Sequence, residues 1–318
     1  SALPVLTDGK SAALRFSKAA PAGPPERNPE QSPTSLRTVC AGGGIPSPRP
    51  PLPFSIATWN INSVRLRLPI VEHYLENRAP DVLCLQETKC PDGSFPAAAF
   101  RKLGYEHVAI HGQKGYHGVA IVSKRPFISV DKRDFCEKGD ARHLAVTIDT
   151  AIGPMDLHDF YIPAGGDEPD PAVNDKFAHK LAFLGELKAW LGSGPSSKPS
   201  VVVGDLNIAP LTEDVWSHKA LLKVVSHTPI ETEIFEAIRK GGEWIDVMRR
   251  FVPQTEKLYT WWSYRAADWS AADKGRRLDH VWASPHLDGR LLGMEVLREA
   301  RGWERPSDHV PVEAVFDL

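Results

Sequence analysis

From Phe54 onward, short apolar runs closed by turn residues alternate with longer stretches of helical spacing. FSIATWN, DVLCLQ, YEHVAIH, GVAIVS, HLAVTID, MDLHDFYI, SVVVGD, LDHVWAS and VPVEAVF each read as a strand. They are dense in β-branched and aromatic residues and are bounded by Gly, Pro, Asn, Asp or Ser. The spacing predicts a helix over about Pro69 to Asn77, with Pro in the first turn where its missing N–H is no loss, and a longer one over about Asp175 to Leu191. Nearly every strand is apolar at consecutive positions, so both of its faces must be covered. Two sheets packed on each other and clothed by helices meet that demand. The expected fold is therefore α/β, a four-layered αββα sandwich of two mixed β-sheets in one domain spanning 54–318. No repeat of fixed period interrupts it.

Residues 1–53 break the pattern. They hold 11 of the 28 prolines, a Cys-Ala-Gly-Gly-Gly run and the closing PSPRPPLP, a composition that predicts a disordered leader. Six Lys or Arg against three acids make the leader basic, but Asp8, Glu26 and Glu30 argue against a transit peptide, so organelle targeting stays open without being favoured. The whole chain carries a formal charge of −2, which excludes a global field for a polyanion and makes any nucleic-acid surface local. No run of apolar residues is long enough to span a bilayer. Cys40, Cys84, Cys90 and Cys136 are far apart, suggesting neither a zinc site nor a disulfide framework, and Cys84 reads as a buried thiol in a reducing compartment.

The chemistry gathers where strands end. VVVGDLNIAP is a buried run that stops at Asp205 and Asn207, although a desolvated carboxylate costs several kcal/mol unless it is paired or used. The same happens at Asn60 and Asn62 in TWNIN, Glu87 in CLQETK, Tyr161 in DFYIPAGG, Asp279 in LDHVWAS, and Asp308 with His309 in PSDHVPV. Any one of these could simply cap a turn. Together they supply four carboxylates, several amides, an imidazole and a phenol. Carboxylates brought together repel unless a cation joins them, and an all-oxygen set selects a hard ion, magnesium above all, with acids left over for proton transfer. Asp205 and Asn207, alternating about Leu206, should face one way.

WNINS, LQETK, YIPAG, GDLNIAP, RRLDHVWAS and PSDHVPV, in this order, closely resemble the exonuclease III family of apurinic/apyrimidinic endonucleases, bacterial type, over about 54–318. GDLN and SDH alone recur across the wider superfamily, but LQETK with GQKGYHGVAIVSKRPF narrows the match. The resemblance implies a DNase I-like fold and a base-excision-repair phosphodiesterase. It would cut duplex DNA 5′ to abasic sites and also act as a 3′-to-5′ exonuclease and on blocked 3′ ends as a 3′-phosphatase or phosphodiesterase. It implies magnesium, with manganese as a substitute, held by Glu87, Asn62 and Asp308. It makes Asp205 the residue that orients or deprotonates water, Asn207 and Asn60 supports of the phosphate and metal network, His309 held by Asp279 the phosphate ligand, and Tyr161 a proton donor. Asn60, Tyr116, Trp261, Arg276 and Leu278 would contact the substrate or its DNA. The bacterial type implies a cytoplasmic, nucleoid-associated protein; the chemistry needs no oligomer, so a monomer is expected, and the lack of a bilayer-length apolar run predicts no membrane association.

Two positions depart from the pattern. Ala164 stands where relatives carry Asn or Gln, and Arg276 where they place Trp or Leu in the pocket for the base-free sugar. The second departure favours the alternative of a specialised 3′-end-processing enzyme with weak abasic incision. Lys114, Lys124, Arg125, Arg142, Arg249, Arg250, Lys274, Arg276 and Arg277 are candidates for a phosphate-contacting stripe. The rival readings are a phosphatase for a small or lipid phosphate and an inactive DNA-binding protein. The repair-type LQETK and PSDHVPV contexts weigh against the first, the complete set of acids against the second.

Overall fold

A computed structural model describes residues 53–318, so the expected leader lies outside the described residues. In chain order the strands are β1 Pro53–Asn60, β2 Val82–Gln86, β3 His107–His111, β4 Val119–Ser123, β5 Phe127–Asp131, β6 His143–Thr150, β7 Gly153–Tyr161, β8 Ser200–Asp205, β9 Ile245–Asp246, β10 Trp261–Trp262, β11 Gly275–Arg276, β12 Asp279–Ala283, β13 Leu291–Val296 and β14 Val312–Asp317. One six-stranded sheet runs β13-β14-β1-β2-β4-β3, a second runs β5-β6-β7-β8-β12-β9, and β10 pairs β11 apart from both. Both large sheets are mixed: β1 lies parallel to β2 and β7 parallel to β8, with antiparallel neighbours around them.

The strands are apolar on both faces because each face has its own core. Between the sheets, Phe54, Ile56 and Cys84 meet Leu157, Val203 and Val281. On the outer side of the first sheet, Trp59 and Leu85 pack on Val71 and Leu75 of the helix Leu68–Arg78. Outside the second, Val202 and Trp282 pack on the helices Asp175–Leu191 and Pro229–Gly241. At about 1.5–3 kcal/mol for each fully buried aliphatic or aromatic side chain, these three cores carry the fold. The four-layered sandwich is as the hydrophobic pattern predicts. Among the described residues no helix is long and apolar enough to cross a membrane, and the three described cysteines are free, with Cys84 buried.

The predicted strands and both predicted helices form, with ends shifted by a residue or two. Missing from the sequence reading were the edge strands β5 and β13, the two-residue strands, and the helix Pro229–Gly241. That helix is announced by Thr228, whose side chain and Glu231 form a capping box ahead of Pro229. Strand β5 is an edge with Ile128 and Val130 exposed, so it lacks the doubly buried pattern of the others.

Toward one end the inner faces turn polar. Along β1 the inward positions run Phe54, Ile56, Thr58, Asn60; along β2 Val82, Cys84, Gln86; along β7 Met155, Leu157, Asp159, Tyr161; along β8 Val201, Val203, Asp205. Gln86 ties the layer across the sheets, donating from Nε2 to Thr58 Oγ1 at 2.8 Å and to Asp159 Oδ1 at 2.6 Å. Burial holds the Asp159 carboxyl well above the usual carboxylate range, against the bond from Gln86. The folded chain therefore binds that proton more tightly than the unfolded chain, and stability from this group falls as pH rises past about 4. Asp159→Asn should remove that loss. Its melting temperature is expected to exceed wild type by on the order of 2 to 4 °C at pH 7.5, with a smaller gain near pH 4.5, as read by calorimetry.

Candidate active site

Four parallel-running strand ends, those of β1, β2, β7 and β8, open onto one cleft, joined by the start of β12. Gly204 makes the approach of β7 and β8 possible: it sits at φ +133°, and a Cβ there would lie 2.0 Å from the Phe160 carbonyl oxygen. Tyr161 and Asp205 are consequently register partners, as are Asp205 and Asp279. Beyond the strand ends, Asn62, Glu87, Lys89 and Asn207 all take left-handed φ values between 48° and 54°. Non-glycine residues in that region store strain, here in three turns, and of the four residues Glu87 and Asn207 line the cleft.

Asn207 corrects one expectation. It faces the same way as Asp205, but not by strand alternation, since β8 ends at Asp205. A tight turn does the work: Asn207 N donates to Asp205 Oδ1 at 3.0 Å, and its Nδ2 to Asp205 Oδ2 at 3.1 Å and the Ile162 carbonyl at 2.9 Å. Asn60 is fully buried. Its Nδ2 donates to Glu87 Oε1 and to Asp205 Oδ2, both at 2.8 Å, so it braces the two acids from beneath and has no surface to offer DNA.

His309 lies between two carboxylates, Nδ1 at 2.8 Å from Asp279 Oδ2 and Nε2 at 3.6 Å from Asp205 Oδ2. Burial opposes the charged ring, but Asp279 and Asp205 outweigh it and raise its pKa to about 10. It is an imidazolium at neutral pH. Asp205 is pushed up to about 7, chiefly by burial, with His309 and Asn60 pulling it down and the Asp279 and Glu87 charges pushing it up. Burial, then the charges of Glu87 and Asp205, raise Tyr161 well above an ordinary phenol, which keeps its proton. Asp205, Asp279 and His309 are close enough to suggest a cation site. However, a 2.8 Å nitrogen–oxygen contact is a hydrogen bond with no room for an ion between the atoms.

The oxygens suited to a cation lie across the cleft. Lys89 Nζ sits 2.8 Å from Glu87 Oε2 and 2.7 Å from Asn62 Oδ1. Asn62 Nδ2 donates to Asp308 Oδ1 at 3.1 Å, and Trp261 Nε1 to Asp308 Oδ2 at 3.0 Å. Burial would raise both acids, yet Lys89 and Asn60 hold Glu87 low, and His309, Trp261 and Asn62 hold Asp308 low. Two oxygens of this group thus already embrace one positive charge.

The cleft has a volume of about 610 Å³ and is lined on its far side by Trp216, Trp261, Lys274, Arg276 and Leu278. Ala164 lines it as well, and its methyl offers no donor. Tyr116 projects beside it, 71% exposed, next to His117, whose ring is 6.0 Å from that of Tyr161. The predicted basic stripe does not hold together. Arg277 is fully buried between Asp214 and Asp246, and Arg249 also pairs with Asp214. Arg250 pairs with Asp288, while Lys124 and Arg125 follow the end of β4 remote from the cleft. Arg142 is buried under Tyr161, its guanidinium 5.1 Å from that ring and its Nε bonded to Asp140. Only Lys274 and Arg276 of the nine line the cleft.

Sequence reasoning missed Lys89 and Lys180. Lys89 lies within LQETK, but its role depends on the left-handed turn at 89 that folds the ammonium back. Lys180 reads as a solvated helix residue, yet it is wholly buried, 2.5 Å from Glu231 Oε1 and donating to the Asn207 carbonyl at 2.8 Å. It locks the turn that carries Asn207 onto the helix Asp175–Leu191.

The family model for endonucleases, exonucleases and phosphatases matches residues 57–309, nearly the whole sandwich. The chain belongs to this family. Within it, the chain is 31% identical over 269 residues to exodeoxyribonuclease III of Haemophilus influenzae, covering 81% of this chain and 98% of that protein. It is 26% identical to an exodeoxyribonuclease of Bacillus subtilis, covering 83% and 99%. Among solved structures, an AP endonuclease from Archaeoglobus fulgidus superposes with a TM-score of 0.76 at 33% identity, covering 83% of this chain and all of that one. A Neisseria 3′ phosphatase, NExo, bound to a product DNA hairpin, superposes with a TM-score of 0.74 at 31% identity over the same shares. The likeness to exonuclease III read from the motifs is thus borne out, and this family's sandwich is the one the cleft is built on.

Proposed function

We propose that this chain is a metal-dependent DNA-repair phosphodiesterase that cuts duplex DNA 5′ to abasic sites and also acts on 3′ ends, as exonuclease and as 3′-phosphatase or phosphodiesterase. The observation that carries this reading is the pairing, in one cleft, of a buried carboxylate near neutrality, Asp205, with an imidazolium, His309, 3.6 Å away. One group can take a proton from water while the other faces the charge that grows on phosphorus oxygens. The relatives named for exonuclease, AP endonuclease and 3′ phosphatase activity support the same chemistry.

In this reading Asp205, held in line by Asn207 and Asn60, removes the proton of the attacking water. The water oxygen bonds to phosphorus as the bond to the 3′ oxygen breaks, leaving a 3′-hydroxyl and a 5′-phosphate. His309, fixed by Asp279, donates from Nε2 to a phosphate oxygen, and Tyr161 donates its phenolic proton toward the phosphate or the departing oxygen. Glu87, Asn62 and Asp308 are the residues that would hold magnesium, or manganese in its place; that the Lys89 ammonium lies against the oxygens of Glu87 and Asn62 supports their suitability for positive charge. The bound ion would neutralise charge on the reacting phosphate. Tyr116 lies against the DNA, with Trp261 and Leu278 at the cleft wall. One chain supplies every group, so the active form is a monomer.

Glu87→Gln tests the metal assignment apart from turnover. Calorimetric titration with magnesium should show binding weakened about tenfold or more. Nicking of an abasic duplex by wild type should require magnesium and stop with chelator. Unchanged metal affinity in Glu87→Gln would place the ion elsewhere.

A further inference from the structure

Hydrolysis beside an internal abasic site places a neutral, base-free sugar in the part of the cleft beyond the reacting phosphate. Such a sugar is best met by bare apolar and aromatic faces. The cleft has two indoles for this purpose, and a cation lies on each. The Arg276 guanidinium is 5.3 Å from the centre of the Trp261 ring, and Lys274 Nζ is 4.8 Å from that of Trp216. Neither makes an ion pair within the distance of a salt bridge among the described residues. Arg276 is also held in place: Nη1 donates to the Val225 carbonyl at 3.0 Å and to Ser226 Oγ at 2.8 Å, and Glu231 fixes Ser226 through its backbone N–H at 3.0 Å. Its Nε is buried without a partner. With Nη1 engaged and Nε buried, what this rigid guanidinium offers the cleft is a fixed positive charge with Nη2 as its remaining donor, suited to an anionic oxygen and not to packing against a sugar.

We propose that Arg276 makes this cleft select a 3′-terminal phosphate over an internal base-free sugar. This rests on the phosphodiesterase reading above and names its preferred substrate. A 3′-phosphomonoester is a dianion in which the oxygen that would carry the next sugar is free, so that oxygen can turn toward Arg276 and adds charge where the wall is positive. The step is the same hydrolysis: water bonds to phosphorus, the bond to the 3′ oxygen breaks, and the products are a 3′-hydroxyl and inorganic phosphate. Lys274 assists as a second, less constrained positive charge.

The test compares kcat/KM on two matched duplexes with magnesium, one with a 3′-phosphate at a nick and one with a single internal abasic site. Wild type is expected to favour the 3′-phosphate at least about tenfold. Arg276→Leu should lower 3′-phosphate removal by about 10² and raise abasic nicking, whereas Arg276→Lys, which keeps the charge, should stay within about tenfold of wild type on the 3′-phosphate. A ratio that moves less than about threefold in Arg276→Leu overturns the proposal, including the case where both activities fall together. Cleavage of both duplexes by wild type with that unchanged ratio refutes only the role of Arg276. Cleavage of neither refutes the phosphodiesterase reading along with it.

Discussion

Asp205→Asn is expected to lower kcat on an abasic duplex about 10³-fold or more, with little change in KM. The substitution preserves volume but only one acceptor oxygen, so of the two contacts, the turn from Asn207 N at Oδ1 and the brace from Asn60 at Oδ2, one is kept and the site stays filled. What disappears is the carboxyl facing His309 that burial pushes up to about 7, where a base must work to accept a proton from water at neutral pH. Because an amide cannot accept that proton, the loss should fall on the chemical step. Magnesium affinity and DNA affinity should stay within about threefold of wild type, since neither the Glu87–Asn62 oxygens nor the cleft wall is touched. A loss below tenfold would assign the base to another residue.

His309→Asn should cost about 10² to 10³ in kcat, the usual effect of removing one donor aimed at developing charge. Asp279→Asn should cost about 10², although it cannot reach the substrate, because the ring loses the partner 2.8 Å away that fixes its orientation and its charge. The double variant should lose little more than His309→Asn alone, since Asp279 acts through the ring; single-turnover rates for the three variants check this. Additive losses would mean that Asp279 has a separate role.

The layered fold was legible because doubly apolar strands such as VVVGD and VLCLQ leave no other way to cover both faces. Edge strands and the helix Pro229–Gly241 were not, since β5 has a solvent-facing side and the capping box at Thr228 lies in a stretch that looks like loop. The polar residues at strand ends come together in one cleft, and they drew notice in the sequence because burial makes an unpaired Asp205 or Asp279 costly. The basic stripe failed for the complementary reason. A count of Lys and Arg near turns cannot tell a solvated cation from Arg277, which neutralises Asp214 and Asp246 inside the protein. Lys89 and Lys180 were invisible as site residues because their placement depends on a left-handed turn in one case and on helix–loop packing in the other.

The most direct test is cleavage of a duplex with one natural abasic site in water enriched in oxygen-18, with magnesium, followed by mass analysis of both new ends. Attack of an Asp205-activated water on phosphorus predicts a 3′-hydroxyl on the upstream fragment and a 5′-phosphate carrying one heavy oxygen on the downstream one. A 3′ unsaturated sugar remnant with no heavy oxygen in the phosphate would mean elimination instead of hydrolysis, and would contradict the assignment of Asp205 and His309 to a phosphodiesterase.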